Sequence, residues 1–137
     1  PLAGKRRISL QTVQESCLLY GDRELLHRAV FNLVENAVKY SPEGSAVKIR
    51  MQRNAQRLCI LVEDQGPGIP EELRGRIFEP FFRVDDARTR QQGGTGLGLA
   101  LVQAIAQFHG GTVSVLETPS GGSRFLLDLP CQNAPIS

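Results

Sequence analysis

The sequence predicts an α+β fold: an α/β sandwich of one mixed, mostly antiparallel sheet, with helices on one face and the other face partly wet. Three observations predict it. Six short runs are apolar or alternate between apolar and polar residues, the period of a strand. Two longer stretches repeat their apolar residues at helical spacing, and clusters of Gly, Pro, Ser and Asn punctuate most of the junctions. With 137 residues the chain suits a single domain over one core, 1–137, with a frayed tail after about 130.

Taken in order, residues 8–13 alternate and residues 16–20 form a second short strand that Gly21 ends. Asp22 is a natural N-cap for a helix running to about Tyr40, because its carboxylate can accept from the first free amides. Ser41-Pro-Glu-Gly44 stops that helix with turn chemistry. Strands at Val47–Gln52 and Arg57–Glu63 follow, with Arg53 to Gln56 as the hairpin loop. Pro70 opens a short helix through Leu73. Leu97, Leu101, Ile105 and Phe108 space out the apolar face of a second long helix, which Gly110-Gly111 ends. Strands at about 112–117 and 124–129 flank a turn at Thr118–Ser123.

Composition narrows the function classes. A hydrophobic share of 41% with 22% charged residues is that of a globular protein. No apolar run approaches the roughly 18 residues of a membrane span, so this domain is expected to make no direct membrane contact. A net charge of +2, with dispersed basic residues, gives no electrostatic case for nucleic acid. Cys17, Cys59 and Cys131 form no CxxC pair, which disfavours a disulfide scaffold or zinc site and fits a reducing compartment. Cys59, in the run Leu58 to Val62, reads as a small buried hydrophobe. The chain starts at Pro1 without Met, so an excised piece of something longer is expected.

Three clusters carry chemistry. On the first long helix, at about 100° per residue, Asn32, Asn36, Lys39 and Tyr40 share one arc, with Leu26, Val30, Val34 and Ala37 opposite. A solvated polar face would explain this. So would an Asn36 side-chain carbonyl placed as a hard-oxygen ligand for Mg²⁺, with Lys39 offsetting phosphate charge. Next comes Asp64-Gln-Gly66-Pro-Gly68-Ile69. It is either a common Asp-rich turn or a carboxylate that accepts from the exocyclic amine of adenine, with glycines admitting close backbone approach. The third, Gly94-Thr95-Gly96-Leu97-Gly98, precedes a helix, where free amides suit a phosphate. It lacks the Lys of a Walker loop and the preceding strand of a dinucleotide loop. A flexible loop without ligand is the plainer alternative. Residues 85–94 are polar, end in glycines and have no apolar face, as a functional lid would.

In order and spacing these clusters, with Ile77-Phe-Glu-Pro-Phe81-Phe-Arg83 between the second and third, resemble the catalytic ATP-binding domain of sensor histidine kinases. That domain belongs to a superfamily shared with gyrase, a heat-shock chaperone and the mismatch-repair ATPase. The resemblance spans about Asp22 to Pro130 and implies ATP held between helices beneath a mobile lid. It implies Asn36 as the Mg²⁺ ligand, Asn32 as its helical neighbour in the catalytic set, Lys39 as a phosphate contact and Tyr40 as a ring lining the purine. It implies Asp64 as the adenine reader, with Gly66, Gly68 and Ile69 beside the base. Phe81 and Arg83 join the ATP site, while Gly94, Thr95, Gly96, Leu97, Gly98 and Leu99 close over the phosphates and Ser123 reaches the base through water. Arg88 and Arg90 are candidates for the γ-phosphate.

Hydrolysing relatives carry a glutamate one turn before the magnesium asparagine, and here that position is Asn32, which cannot act as a base. ATP is therefore expected to be held for transfer to a histidine. His27, followed by Arg-Ala, and His109, followed by Gly-Gly, lack the acceptor's His-Glu-x-x-x-Pro-Leu context and read as structural or surface residues. The implied partners are a separate dimerisation and phosphoacceptor domain and a response regulator. The implied setting is the cytoplasmic side of a homodimeric bacterial inner-membrane protein. A non-catalytic nucleotide-binding regulatory module and a gyrase-type ATPase are the rival readings.

Overall fold

The computed structural model describes the backbone of residues 9–13 and the whole of residues 21–54, 56–83 and 96–131. The expected strand over 16–20 and the lid over 85–94 lie outside these residues, as do Cys17, Arg88, Arg90, Gly94, Thr95 and the tail.

The described elements are β1 (Ser9–Val13), α1 (Arg23–Tyr40), β2 (Ala46–Asn54), β3 (Arg57–Glu63), a 3₁₀ turn at Glu71–Leu73, α2 (Gly98–Phe108), β4 (Thr112–Glu117) and β5 (Ser123–Pro130). The five strands form one sheet in the order β1-β2-β3-β5-β4. β1 lies parallel to β2, and the other three pairings are antiparallel. The sheet is mixed and mostly antiparallel, as the sequence predicts.

Local chemistry explains the boundaries. Asp22 caps α1, its Oδ1 accepting from the Leu25 N–H at 3.0 Å. Ser41 ends the helix in an extended conformation ahead of Pro42. β2 runs two residues further than expected, because Asn54 still pairs with Arg57. Pro70 does start a helical turn, but only a 3₁₀ one of three residues. At the end of α2, Gly110 adopts φ +76° and Gly111 N–H returns to the Ala106 carbonyl at 2.8 Å.

Alternation along the strands decides which face is covered. Leu58, Ile60 and Val62 of β3, Val113 and Val115 of β4, and Phe125, Leu127 and Leu129 of β5 are buried on the helix side. α1 packs over β2 and β3, α2 packs over β4 and β5, and the two helices touch each other. Phe78 enters the same core, edge-on to Phe125 with ring centroids 6.3 Å apart.

Two packing expectations need correction. In α2 the buried residues are Val102, Ile105 and Ala106, whereas Leu97, Leu101 and Phe108 are exposed, Phe108 by 71%. The core stripe is rotated roughly 90° from the one that the large side chains mark. In α1, Leu26, Val30 and Val34 pack half-buried against the core beside the buried Ala37 as expected, and Ala29, Leu33 and Val38 are buried with them. Cys59 is half-buried rather than buried, since alternation turns it away from the helices, opposite Asp128. Burial, and then the Asp128 charge, pushes its thiol above the ordinary value.

Candidate functional site

The site forms where three segments converge: the C-terminal end of α1, the loop after β3 and the turn between β4 and β5. Asp64 follows β3 directly and is buried. Its Oδ1 accepts the Gly66 N–H at 2.9 Å and the Ser123 N–H at 3.0 Å, while its own N–H donates to the Ser123 carbonyl at 2.9 Å. Both side-chain bonds land on one oxygen, so the carboxylate is oriented and Oδ2 is left for another donor. Burial pushes the Asp64 carboxyl above its usual range, against the pull of the Ser123 and Gly66 amides.

The glycines here meet the chain itself. At φ +77°, Gly68 sits in the left-handed region, and a Cβ on it would stand 2.5 Å from the Gly121 carbonyl oxygen. One on Gly122 would stand 2.1 Å from the Asp64 carbonyl oxygen. The Asp64 loop and the Gly121-Gly122 turn therefore lie backbone to backbone. Gly66 abuts the Tyr40 carbonyl, and the Gln65 N–H donates to the buried Ser41 Oγ at 3.4 Å, which ties the end of α1 to the loop.

Asn32, Asn36, Lys39 and Tyr40 are half-buried on α1, with Asn36 one turn and Asn32 two turns before Tyr40. Ile69 and Leu99 pack against the core, and Ser123 is buried as the first residue of β5. The structure thus joins Tyr40, Asp64, Gly66, Gly68 and Ser123 through direct backbone approach. Asn32, Asn36 and Lys39 enter through their helix.

The second half of the site is built on α2. Its N-cap residue, Leu97, makes no side-chain capping bond, and its first turn begins at Gly98 with no acidic residue, so amides of that turn suit an anion. Just before it, the Gly96 carbonyl accepts the Phe81 N–H at 2.8 Å, which closes the two flanks of residues 84–95 onto each other. Phe81 is 71% exposed and has φ +67°, a strained conformation for a bulky residue. Arg83 is exposed beside it. Among the described residues no group of three or more His, Cys, Asp or Glu side chains is placed to hold a metal. The half-buried Asn36 carries a hard amide oxygen, the kind of donor that a divalent ion can share with phosphate and water.

Three features escaped the sequence reading. Thr118 bonds across the turn that carries Ser123. His109 takes the Asp22 N–H on Nε2, and Glu63 joins Arg50 and Arg124 on the outward face of the sheet. Each depends on partners remote in sequence, and residue spacing signals none of them.

Residues 21–133 match the family described as histidine kinase-, DNA gyrase B- and HSP90-like ATPases, and the chain belongs to that family. It is 50% identical over 110 residues to the sensor-like histidine kinase SenX3 of Mycobacterium tuberculosis, covering 80% of this chain and 27% of that protein. It is 43% identical over 132 residues to the alginate biosynthesis sensor protein KinB of Pseudomonas aeruginosa, covering 95% of this chain and 22% of that one. The chain thus spans about a quarter of the length of these relatives. Its fold is similar to the mycobacterial sensor histidine kinase MprB, with TM-score 0.87, 33% identity and coverage of 97% and 90%. It is also similar to full-length ShkA in complex with AMPPNP, with TM-score 0.82, 30% identity and coverage of 99% and 28%.

Proposed function

We propose that this chain is the ATP-binding catalytic domain of a sensor histidine kinase, binding Mg-ATP and transferring the γ-phosphoryl group to a histidine on a separate dimerisation and phosphoacceptor domain. The observation that carries the reading is Asp64: a buried carboxylate whose Oδ1 is committed to two amides, on a loop that abuts the C-terminal end of α1. Keeping such a group in a desolvated place costs stability, and a ligand donor on Oδ2 offsets the cost. The exocyclic amine of adenine is such a donor, whereas guanine presents a carbonyl at that position.

In this reading Tyr40, Gly66, Gly68, Ile69 and Ser123 border the base. Phe81 and Arg83 flank the sugar and phosphates, and Gly94, Thr95, Gly96, Leu97, Gly98 and Leu99 cover the triphosphate. Asn36 holds the magnesium ion through its amide oxygen, and Lys39 offsets phosphate charge. Magnesium would supply charge neutralisation across the phosphates. Asn32 and Asn36 keep their helix face polar without offering a base. The acceptor histidine is the nucleophile: its ring nitrogen forms the N–P bond as the bond from the γ-phosphorus to the β-bridging oxygen breaks. ADP leaves, and the ring proton passes to solvent. Positioning and electrostatic stabilisation would supply the rate.

The intact protein is read as a homodimer in the bacterial inner membrane with this domain on the cytoplasmic side, passing its phosphoryl group to a response regulator. The sequence similarity to a sensor-like histidine kinase and a sensor protein supports the signalling role in this reading.

The test supplies a histidine phosphoacceptor domain with ATP labelled at the γ-phosphate. Acid-labile, base-stable label on that domain is the expected result. Asn36→Ala should abolish magnesium-dependent nucleotide binding and label transfer together. Parental Mg-ATP affinity in that variant would remove Asn36 as the metal ligand. Nucleotide binding without any transfer would favour a regulatory module.

A further inference from the structure

We propose that the Thr118 hydroxyl is a positioning group for the Asp64 carboxylate, and through it sets the preference for adenine over guanine. The nucleotide part rests on the function proposed above; the positioning part stands on the ligand-free geometry.

Thr118 follows β4 and is buried. It bonds across the turn at every polar atom. Its N–H donates to the Gly122 carbonyl at 2.9 Å, and its carbonyl accepts the Gly121 N–H at 2.9 Å. Its Oγ1 accepts the Gly122 N–H at 2.9 Å and lies 3.1 Å from Ser120 Oγ.

The peptide plane between Gly122 and Ser123 carries the consequence. A peptide unit is rigid, so the direction of its carbonyl fixes the direction of its N–H. The carbonyl of this unit is held by Thr118, and its N–H is the Ser123 donor to Asp64 Oδ1. The hydroxyl holds the preceding unit through the Gly122 N–H. With Gly121 at φ +95° and Gly122 beside it, backbone preference alone would hold neither plane. Removing the hydroxyl releases the Gly122 N–H and leaves the Gly122-Ser123 plane on the Thr118 N–H alone, so the amide that commits Oδ1 is aimed less tightly. Oδ1 then keeps the Gly66 N–H while its second bond weakens, and the carboxylate presents Oδ2 to an adenine amine less sharply.

Thr118→Val keeps the shape and deletes the hydroxyl, Thr118→Ala deletes it without bulk where the valine variant fails to fold, and Thr118→Ser restores it. The expected result is an ATP affinity lowered about tenfold in the hydroxyl-free variants, with the ATP-to-GTP affinity ratio lowered by a similar factor, as loss of one buried hydrogen bond gives. The serine variant should keep both values. A purely structural role would lower thermal stability and leave the ratio alone. Hydroxyl-free variants with both values within about twofold of the parent would overturn the inference.

A second measurement needs no nucleotide. Carbon-13 titration of the Asp64 carboxyl should show its midpoint moving up in the hydroxyl-free variants and staying in place with serine, because a lowering hydrogen bond is lost. An unmoved midpoint rejects the positioning role. Should the parent bind ATP no better than GTP, the proposed function fails, while the carboxyl titration still judges Thr118.

Discussion

Asp64 shows at the scale of one residue how a binding site opposes the fold that carries it. Burial raises its carboxyl above the ordinary range, and two amides only partly compensate. A raised acid has a definite sign in linkage: the protonated form stabilises the fold at low pH, and that contribution is lost as pH rises through the folded value. At neutral pH the ionised Asp64 is therefore a cost to the empty protein. Asp64→Asn keeps an oxygen for the Ser123 and Gly66 amides and removes the charge. Its melting temperature without ligand is expected to equal or exceed that of the parent, while ATP affinity falls about tenfold or more, since a misoriented amide sets donor against donor. Calorimetry with unchanged ATP affinity would take Asp64 out of base recognition. The residue and its loop were legible because Asp-x-Gly-x-Gly after an apolar strand marks a turn with close backbone approach. The identity of the approaching chain, Gly121 and Gly122, was not.

At the scale of elements, the strands were the most legible part. Alternation and turn residues are local properties, and Arg57–Glu63 and Thr112–Glu117 fall where the sequence puts them. The face of α2 was not legible, because the burial of Val102 and Ala106 depends on how the helix packs against α1, β4 and β5, which its own sequence does not record. The same holds for the tie between the helices. His109 Nδ1 lies 2.7 Å from the Ile105 carbonyl and must donate, so Nε2 accepts the Asp22 N–H at 2.9 Å across 87 positions. His109→Ala unties the start of α1 from the end of α2 and leaves a void, an expected loss of about 2–4 kcal/mol by denaturant unfolding. A loss under about 0.5 kcal/mol would assign the contact no structural weight.

Glu63 ties strands in a similar way. Burial alone would raise its carboxyl, but hydrogen bonds and charge from Arg50 and Arg124 outweigh it and hold the group below the ordinary glutamate value. A lowered acid contributes stability that is present above the unfolded glutamate range and lost as pH falls through the folded value. Glu63→Gln should cost roughly 1–3 kcal/mol at neutral pH. The loss is less than for a sealed ion pair, because the Arg50 and Arg124 side chains are 39% and 29% exposed. The variant should also show a flatter loss of stability below about pH 4.5. An unchanged acid limb would mean that other carboxylates govern acid unfolding.

For the whole molecule the question is whether bound ATP is spent on water or kept for a partner. Helix α1 ends against the Asp64 loop, which fixes Asn32 and Asn36 one turn apart on a polar arc leading to Tyr40. An amide side chain has no basic oxygen or nitrogen at neutral pH, so Asn32 can orient a water but cannot take its proton. General-base assistance is worth about 10²–10⁴-fold, and without it hydrolysis should lag by that order. The chain alone is expected to release phosphate from ATP at near the background rate, even when saturated with Mg-ATP, and yet to label an added histidine domain. Asn32→Glu restores a carboxylate at the position where hydrolysing members of the family hold their base. It should raise phosphate release at least about tenfold without tightening ATP binding. A parent that turns over ATP steadily on its own, with Asn32→Glu no faster, would show that water activation does not depend on this position and would move the chain towards the gyrase-type reading.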